Sequence, residues 1–286
     1  MELLQARDRI EQFFEEIQTS FEGHYKDALH SCGIETPVHG HSNLPASTIM
    51  NILNCFNVSL YKVAKGDVDY EVMEKQLRGE QAIPSRYFEG ALYSLKSTPV
   101  NIINCISNSL SRDAANEVVK TVQIKGIEAQ ESDENVNLIL LHDICDYLQT
   151  FYGKDLVASI GAQKAQQTIG QKVDKWRGKI KCLKTLMELF IDEVYPKTVG
   201  QNFNWKLQSV DENSFVIGGA PRPEVERTFK NAGLVPRSLE VLRKGYLQTL
   251  PSVIGHRTLA IHQISSISHG EKSDTYKIVS AVQKPF

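Results

Sequence analysis

The sequence predicts an α+β fold, with an all-helical N-terminal module over residues 1–130 followed by an α+β domain with an antiparallel sheet over residues 131–286. Three features predict it. Apolar residues recur near every 3.6 positions through most of the first two thirds; from Asn202 the pattern changes to strict alternation; and the chain closes with a helix-like run, a Pro-Ser-Val-Ile-Gly turn and two strand-like runs. The composition, 41% hydrophobic and 23% charged in 286 residues, is that of a soluble globular protein long enough for one large domain or two ordinary ones.

Leu3–His30 places Ile10, Phe13, Phe14, Ile17 and Phe21 on one face between Glu and Gln, which predicts an amphipathic helix. Gly33–Pro45 carries prolines, glycines, His39 and His41 and predicts a loop. Helices follow at Thr48–Phe56 and Tyr70–Leu77, the second introduced by Gly66-Asp67-Val68-Asp69, and further helices are expected at Ser85–Lys96, Pro99–Leu110 and Asp113–Ala129. The polar run Gln130–Asn135 marks an interdomain boundary or an exposed helix start.

Val136–Tyr152, Leu156–Gly161 and Val173–Val194 continue the helical period until Tyr195-Pro196 stops it. Phe203, Trp205 and Leu207 then alternate with Asn204, Lys206 and Gln208, and Asp211-Glu212-Asn213 leads into Ser214–Gly218, a hairpin signal. Pro221 and Pro223 fall in a loop or short element. Ser238–Leu250 reads as a helix, and Thr258–Ser266 and Asp274–Val282 read as the closing strands.

Composition also bounds the function. A net charge of −2 provides no global positive field for nucleic acid or an anionic membrane surface. Five dispersed cysteines without a C-x-x-C pair argue against a disulfide framework or a thiolate zinc knot, and they are expected to be reduced and mostly buried. The early charges of the N-terminus and the lack of a long uncharged apolar run point to the cytoplasm, with no membrane partner.

No complete catalytic signature is present. His39-Gly40-His41 is the nearest approach to a metal pair, but a third ligand is needed and none is identified, so a solvated loop is the simpler reading. His142 and Cys145 share a predicted helix three residues apart, a spacing that suits packing better than a thiolate–imidazole pair. Gly218-Gly219-Ala220-Pro221 lacks both phosphate-loop spacings and reads as a turn. The acidic group Asp133, Glu134, Asp143 and Asp146 has no calcium-loop pattern. Ser85–Asn101 could form a helix-turn-helix, but its second helix holds almost no basic residue, so ordinary packing explains it better.

The C-terminal half carries a family likeness. Leu239–Pro251 includes Gly245-Tyr246 on the predicted helix, and Ser266-Ile-Ser-His-Gly270-Glu271-Lys-Ser-Asp274-Thr-Tyr276-Lys-Ile278 closes the chain. This resembles the end of the 4-vinyl-reductase-type domain, whose closing pattern places Gly270, Glu271, Tyr276 and Ile278 at corresponding positions. Ser266 and Asp274 stand where that pattern has cysteines, a departure that removes the thiolates of a structural zinc site, so no metal and no cofactor is expected. The resemblance implies a dimeric sensor domain with a mostly apolar pocket for a lipid-like or aromatic molecule. Its lining residues would be Trp176, Phe203, Trp205, Phe215, Tyr246 and His262, with Trp205 and His262 giving directional contacts.

The resulting expectation is a cytoplasmic regulatory or sensor protein, not an enzyme. It would form a homodimer, bind a small hydrophobic or aromatic ligand in the C-terminal domain, and signal through the helical module to a partner protein or to DNA by population shift. Alternatives are an enzyme acting on a hydrophobic small molecule with His142 or His262 as acid–base, and an interaction module without ligand.

Overall fold

The computed structural model describes residues 2–20, 25–31, 44–90, 94–95, 97–127, 135–176, 178–180, 182–194 and 202–282. The loop with His39 and His41 lies outside them, and so does the polar run Gln130–Asn135 up to residue 134. The chain forms two compact units, one of Met1–Tyr87 and Val100–Asp133, the other of Phe88–Pro99 and Glu134–Phe286. A single cut in the sequence cannot represent this, because Phe88–Pro99 joins the second unit.

The described elements of the first unit are helical. They are α1 Glu2–Ser20, α2 Tyr25–Ser31, α3 Ala46–Cys55, α4 Leu60–Lys65, α5 Tyr70–Leu77, a 3-10 turn at Ser85–Tyr87, α6 Ser97–Ser109, which begins in the second unit, and α7 Arg112–Val122. The apolar face of α1 supplies Phe13, Phe14 and Ile17 to a core with Leu29, Ile52, Leu53, Phe56, Val58, Val63 and Met73. Polar caps set the helix starts: Ser59 accepts from the Lys62 amide, Asp69 from Val72 and Ser111 from Ala114. Gly66, at φ 67°, ends α4 in the left-handed region.

Two expectations are corrected here. The described residues of Ser85–Lys96 are not an α-helix: they form a 3-10 turn at Ser85–Tyr87 and β1 at Ser94–Leu95, which does not give the first helix of the helix-turn-helix considered for Ser85–Asn101. Cys55 is disulfide-bonded, against the expectation of reduced thiols, while Cys105, Cys145 and Cys182 are free. Dispersed spacing gives no pairing signal, since the fold alone decides which cysteines meet.

The second unit is α+β. β1 pairs antiparallel with β2 (Asn135–Val136), and α8 (Leu138–Tyr152) starts where Asn137 accepts from the Ile139 amide. α9 (Lys154–Trp176) is one continuous helix across residues the sequence pattern had divided, because Gly161 and Gly170 are both accommodated within it. α10 (Leu183–Leu189) runs into a π turn at Phe190–Val194.

The main sheet comprises β3 (Phe203–Val210), β4 (Ser214–Pro221), β5 (His256–Ser265) and β6 (Asp274–Val282), in the antiparallel order β3-β4-β6-β5. Between β4 and β5 lie α11 (Pro223–Asn231), with proline at its first turn, and α12 (Arg237–Thr249), followed by a 3-10 turn, Leu250–Ile254. α12 packs along α9 and also against β5 and β6. One face of the sheet carries Phe203, Trp205, Phe215, Ile217, Tyr276 and Ile278, all buried, as strand alternation requires. Trp205 pairs with Gly219, and its indole lies flat where a side chain on Gly219 would stand: a Cβ there would come within 2.5 Å of the ring.

Candidate functional site

The site is built on one turn of α12 and the connection between β5 and β6. Glu240 and Arg243, three residues apart, share a helical face and reach the end of the hairpin, where the chain makes a 3-10 turn at Ile267–His269 and Gly270 takes φ 89°.

Glu240 is 7% exposed and fully engaged. Its Oε1 accepts from the Ser268 amide at 2.8 Å, and its Oε2 accepts from the Ser266 hydroxyl at 2.9 Å, the Ser268 hydroxyl at 2.9 Å and the Gln263 amide at 3.2 Å. Desolvation opposes the charge, but these donors outweigh it and hold the Glu240 carboxyl below its ordinary range. Arg243 forms an ion pair with Asp274, whose side chain is 0% exposed and whose other oxygen accepts from the Ile267 amide at 2.9 Å. Burial pushes the Asp274 carboxyl up, with Arg243 opposing. Desolvation opposes the charge of Arg243, but Asp274 first, then Tyr276 and Glu240, outweigh it and raise its guanidinium, so this interior holds two carboxylates to one base.

Aromatic rings surround the ion pair. The Arg243 guanidinium lies 4.4 Å over the Phe203 ring, Phe203 and Trp205 are 6.1 Å apart, and Trp205 stacks on Tyr276 at 6.3 Å. Two polar atoms in this cluster are left over. Neither Arg243 Nε nor the Tyr276 hydroxyl meets strict hydrogen-bond geometry with any described residue, although the Arg243 guanidinium lies close enough to act on the phenol both through its charge and as a hydrogen-bond donor. Tyr276 itself is 0% exposed, and burial pushes its phenol up.

The expected lining residues separate into two groups. Phe203 and Trp205 meet in this cluster, and Phe215 lies buried on the same sheet face. Tyr246 is on α12 but packs against Phe190, 6.0 Å away. Trp176 is buried at the end of α9 with its indole N–H donated to Glu193, a structural assignment. His262 is excluded from the lining: it pairs with Lys277 on the opposite face of the sheet and is exposed. The cause is local register. β5 is irregular between Thr258 and Ala260 and again between Gln263 and Ser265, and each extra residue shifts which side chains face inward, a shift that alternation alone does not reveal.

Sequence reasoning missed Glu240, Arg243 and Asp274 as site residues. The available signal was two opposite charges one turn apart on α12 and an acid at the inward parity of a strand otherwise carrying Tyr276 and Ile278.

Of the two acid–base alternatives, His262 is exposed and His142 is occupied. His142 is 5% exposed; its Nε2 lies 3.1 Å from the Val235 carbonyl, which can only accept, and its Nδ1 lies 3.3 Å from Asp143. Burial first and Asp146 second push the Cys145 thiol up to about 12, which keeps it protonated. Among the described residues no group of three metal-ligating side chains gathers, and no helix is long and apolar enough to cross a membrane.

No family model matches the chain, and no curated protein matches it. Among solved structures it is similar to the Fe(II) unliganded H-NOX protein from K. algicida, with 7% identity over 67% of this chain and 99% of that one and a TM-score of 0.46. It is likewise similar to an H-NOX protein from S. oneidensis in the Fe(II)NO ligation state, with 14% identity over 65% and 99% of the two chains and a TM-score of 0.48. Scores below 0.5 at such identities fix neither a shared fold nor a shared ligand.

Proposed function

We propose that the C-terminal unit binds a small, mostly apolar molecule between α12 and the inner face of its sheet and acts as a regulatory sensor domain without catalysing a reaction. The observation that carries this reading is the pair of buried donors, Arg243 Nε–H and the Tyr276 hydroxyl hydrogen, that meet no acceptor among the described residues, set in a cluster of Phe203, Trp205 and Tyr276. A buried polar group left unsatisfied costs about 1–3 kcal/mol, so such a pair persists where something else meets it. Apolar walls with a few convergent polar groups are the ordinary build of a small-molecule site.

Occupancy would be reported through α12. Glu240 and Arg243 fasten this helix to the β5–β6 connection, while Gly245 seats it on α9, so a molecule wedged beside Arg243 acts on both attachments. A ligand that binds one arrangement of α12 better than another shifts the population toward it. The helical N-terminal unit is the proposed output module, acting on a partner protein or DNA, and the working form is a homodimer in the cytoplasm.

The test is thermal unfolding of the full chain before and after extraction with a mild organic solvent, followed by addition of a panel of small aromatic compounds. The reading expects a lower Tm after extraction that one or more compounds restore, because a ligand bound only to the folded state stabilises it. A Tm unmoved by extraction and by every compound contradicts it.

A further inference from the structure

Resting on the proposed ligand-binding reading, the charge and hydrogen-bond inventory narrows the ligand's chemical class. We infer that the guest carries a neutral oxygen acceptor of carbonyl type on an aromatic or similarly apolar body, its oxygen taking hydrogen bonds from Arg243 Nε–H and the Tyr276 hydroxyl and its body lying against Phe203 and Trp205.

Two observations select this class. The first is that both groups can donate: Arg243 Nε–H has no other capacity, and the Tyr276 hydroxyl, whose oxygen the Arg243 guanidinium acts on, has its hydrogen left for an acceptor. Arg243 reaches Asp274, which stands two residues from Tyr276 on the same side of β6, so the two donors belong to one locality. A carbonyl oxygen has two lone pairs and can satisfy both at once.

The second observation is the local charge. An isolated buried arginine would recruit an anion, and a carboxylate would be the obvious partner. Here the guanidinium is already paired with Asp274, and Glu240 adds a second buried acid on the same turn of α12. A ligand carboxylate would be a third anion beside one cation in a poorly solvated interior, where like charges repel strongly. A neutral acceptor takes the same hydrogen bonds without that repulsion.

The experiment is isothermal titration calorimetry on the full chain with three probes of one size: acetophenone, benzoate and ethylbenzene. The inference expects acetophenone to bind at least about tenfold tighter than either of the others, the scale of a hydrogen bond to a charged donor. Tyr276→Phe keeps the ring and its stacking on Trp205 but removes the hydroxyl, so it should fold normally and reduce the preference for acetophenone over ethylbenzene severalfold. Equal binding of acetophenone and ethylbenzene, or tightest binding of benzoate, overturns the inference and leaves the apolar site standing. Failure of all three to bind, the result expected if an internal water satisfies both donors, overturns the inference and the ligand-binding reading together.

Discussion

Gly245 on α12 and Gly161 on α9 mark a crossing at which each helix rests on the other's backbone. A Cβ on Gly245 would lie 1.9 Å from the Ala158 carbonyl oxygen, and one on Gly161 would lie 2.1 Å from the Leu242 carbonyl oxygen. Backbone cannot yield as a flexible side chain can, so only glycine allows this approach. The crossing fixes the height of α12 over the sheet and hence the reach of Glu240 and Arg243.

Gly161→Ala and Gly245→Ala should each lower stability by at least about 2 kcal/mol in urea unfolding, the scale of overpacking a closed contact. Gly170→Ala, on the same helix with nothing within 4 Å of the added carbon, should instead stabilise the protein by about 0.5–1 kcal/mol through helix propensity. Equal effects at the three positions would mean that the crossing is loose.

Arg243→Met should destabilise the protein by about 3 kcal/mol at neutral pH, because it leaves the buried Asp274 and Glu240 carboxylates without their cation. Chemical denaturation measures this directly. A change below about 1 kcal/mol would show the pair to be open to water.

Glu240 gives the pH dependence a sign. Its folded pKa lies below the ordinary 4.5, so its ionised form contributes stability above that value and the contribution is lost as pH falls through the lower folded value. Asp274 acts in the opposite sense: its pKa is raised, so it contributes while protonated and the contribution fades as pH rises. Glu240→Gln should therefore be less stable than the parent at pH 7, with the gap narrowing below about pH 4.5, as followed by unfolding free energy against pH. A gap that widens on acidification would reverse the assignment.

The free thiols should separate kinetically. Cys182 is exposed, and hydrogen bonding from Thr185 lowers its pKa, whereas the Cys145 thiol, at about 12, has almost no thiolate at neutral pH. Under native conditions an aromatic disulfide reagent at pH 7 should label Cys182 rapidly, and Cys182→Ser should remove that fast phase. Cys145 should label only on unfolding; native labelling of Cys145 would show that α8 opens locally.

The two histidines considered for acid–base chemistry should differ in stability effect. His262→Ala, on an exposed strand position, should stay within about 0.5 kcal/mol of the parent. His142→Ala should cost about 1–3 kcal/mol, because it empties a buried position and leaves the Val235 carbonyl without its donor. Thermal denaturation of the two variants side by side resolves this.

Much of the fold was legible because periodicity reports burial. Phe203, Trp205 and Leu207 alternate and lie on one strand, and Asp274–Val282 forms β6 over its expected span. Alternation also brought Phe203 and Trp205 to the site. His262, placed in the lining by the family resemblance, is turned to the other face by irregularities in β5 that arise from pairing with β6 and that alternation does not signal. Periodicity passed over Glu240, Arg243 and Asp274, whose charges normally indicate a solvated face. Their burial depends on a helix and a hairpin meeting across about thirty residues of sequence, a relationship that local pattern does not encode. Ser85–Lys96 read as helical from composition, but its residues Ser94–Leu95 pair with Asn135–Val136, a tertiary contact that overrides local preference.

Native mass spectrometry of the full chain purified from its own host measures occupancy and subunit count in one spectrum. The account predicts a folded species carrying one small neutral molecule per chain, lost on collisional activation and retained far less in Tyr276→Phe. A folded species that carries nothing, from fresh lysate and under the gentlest conditions, would contradict it.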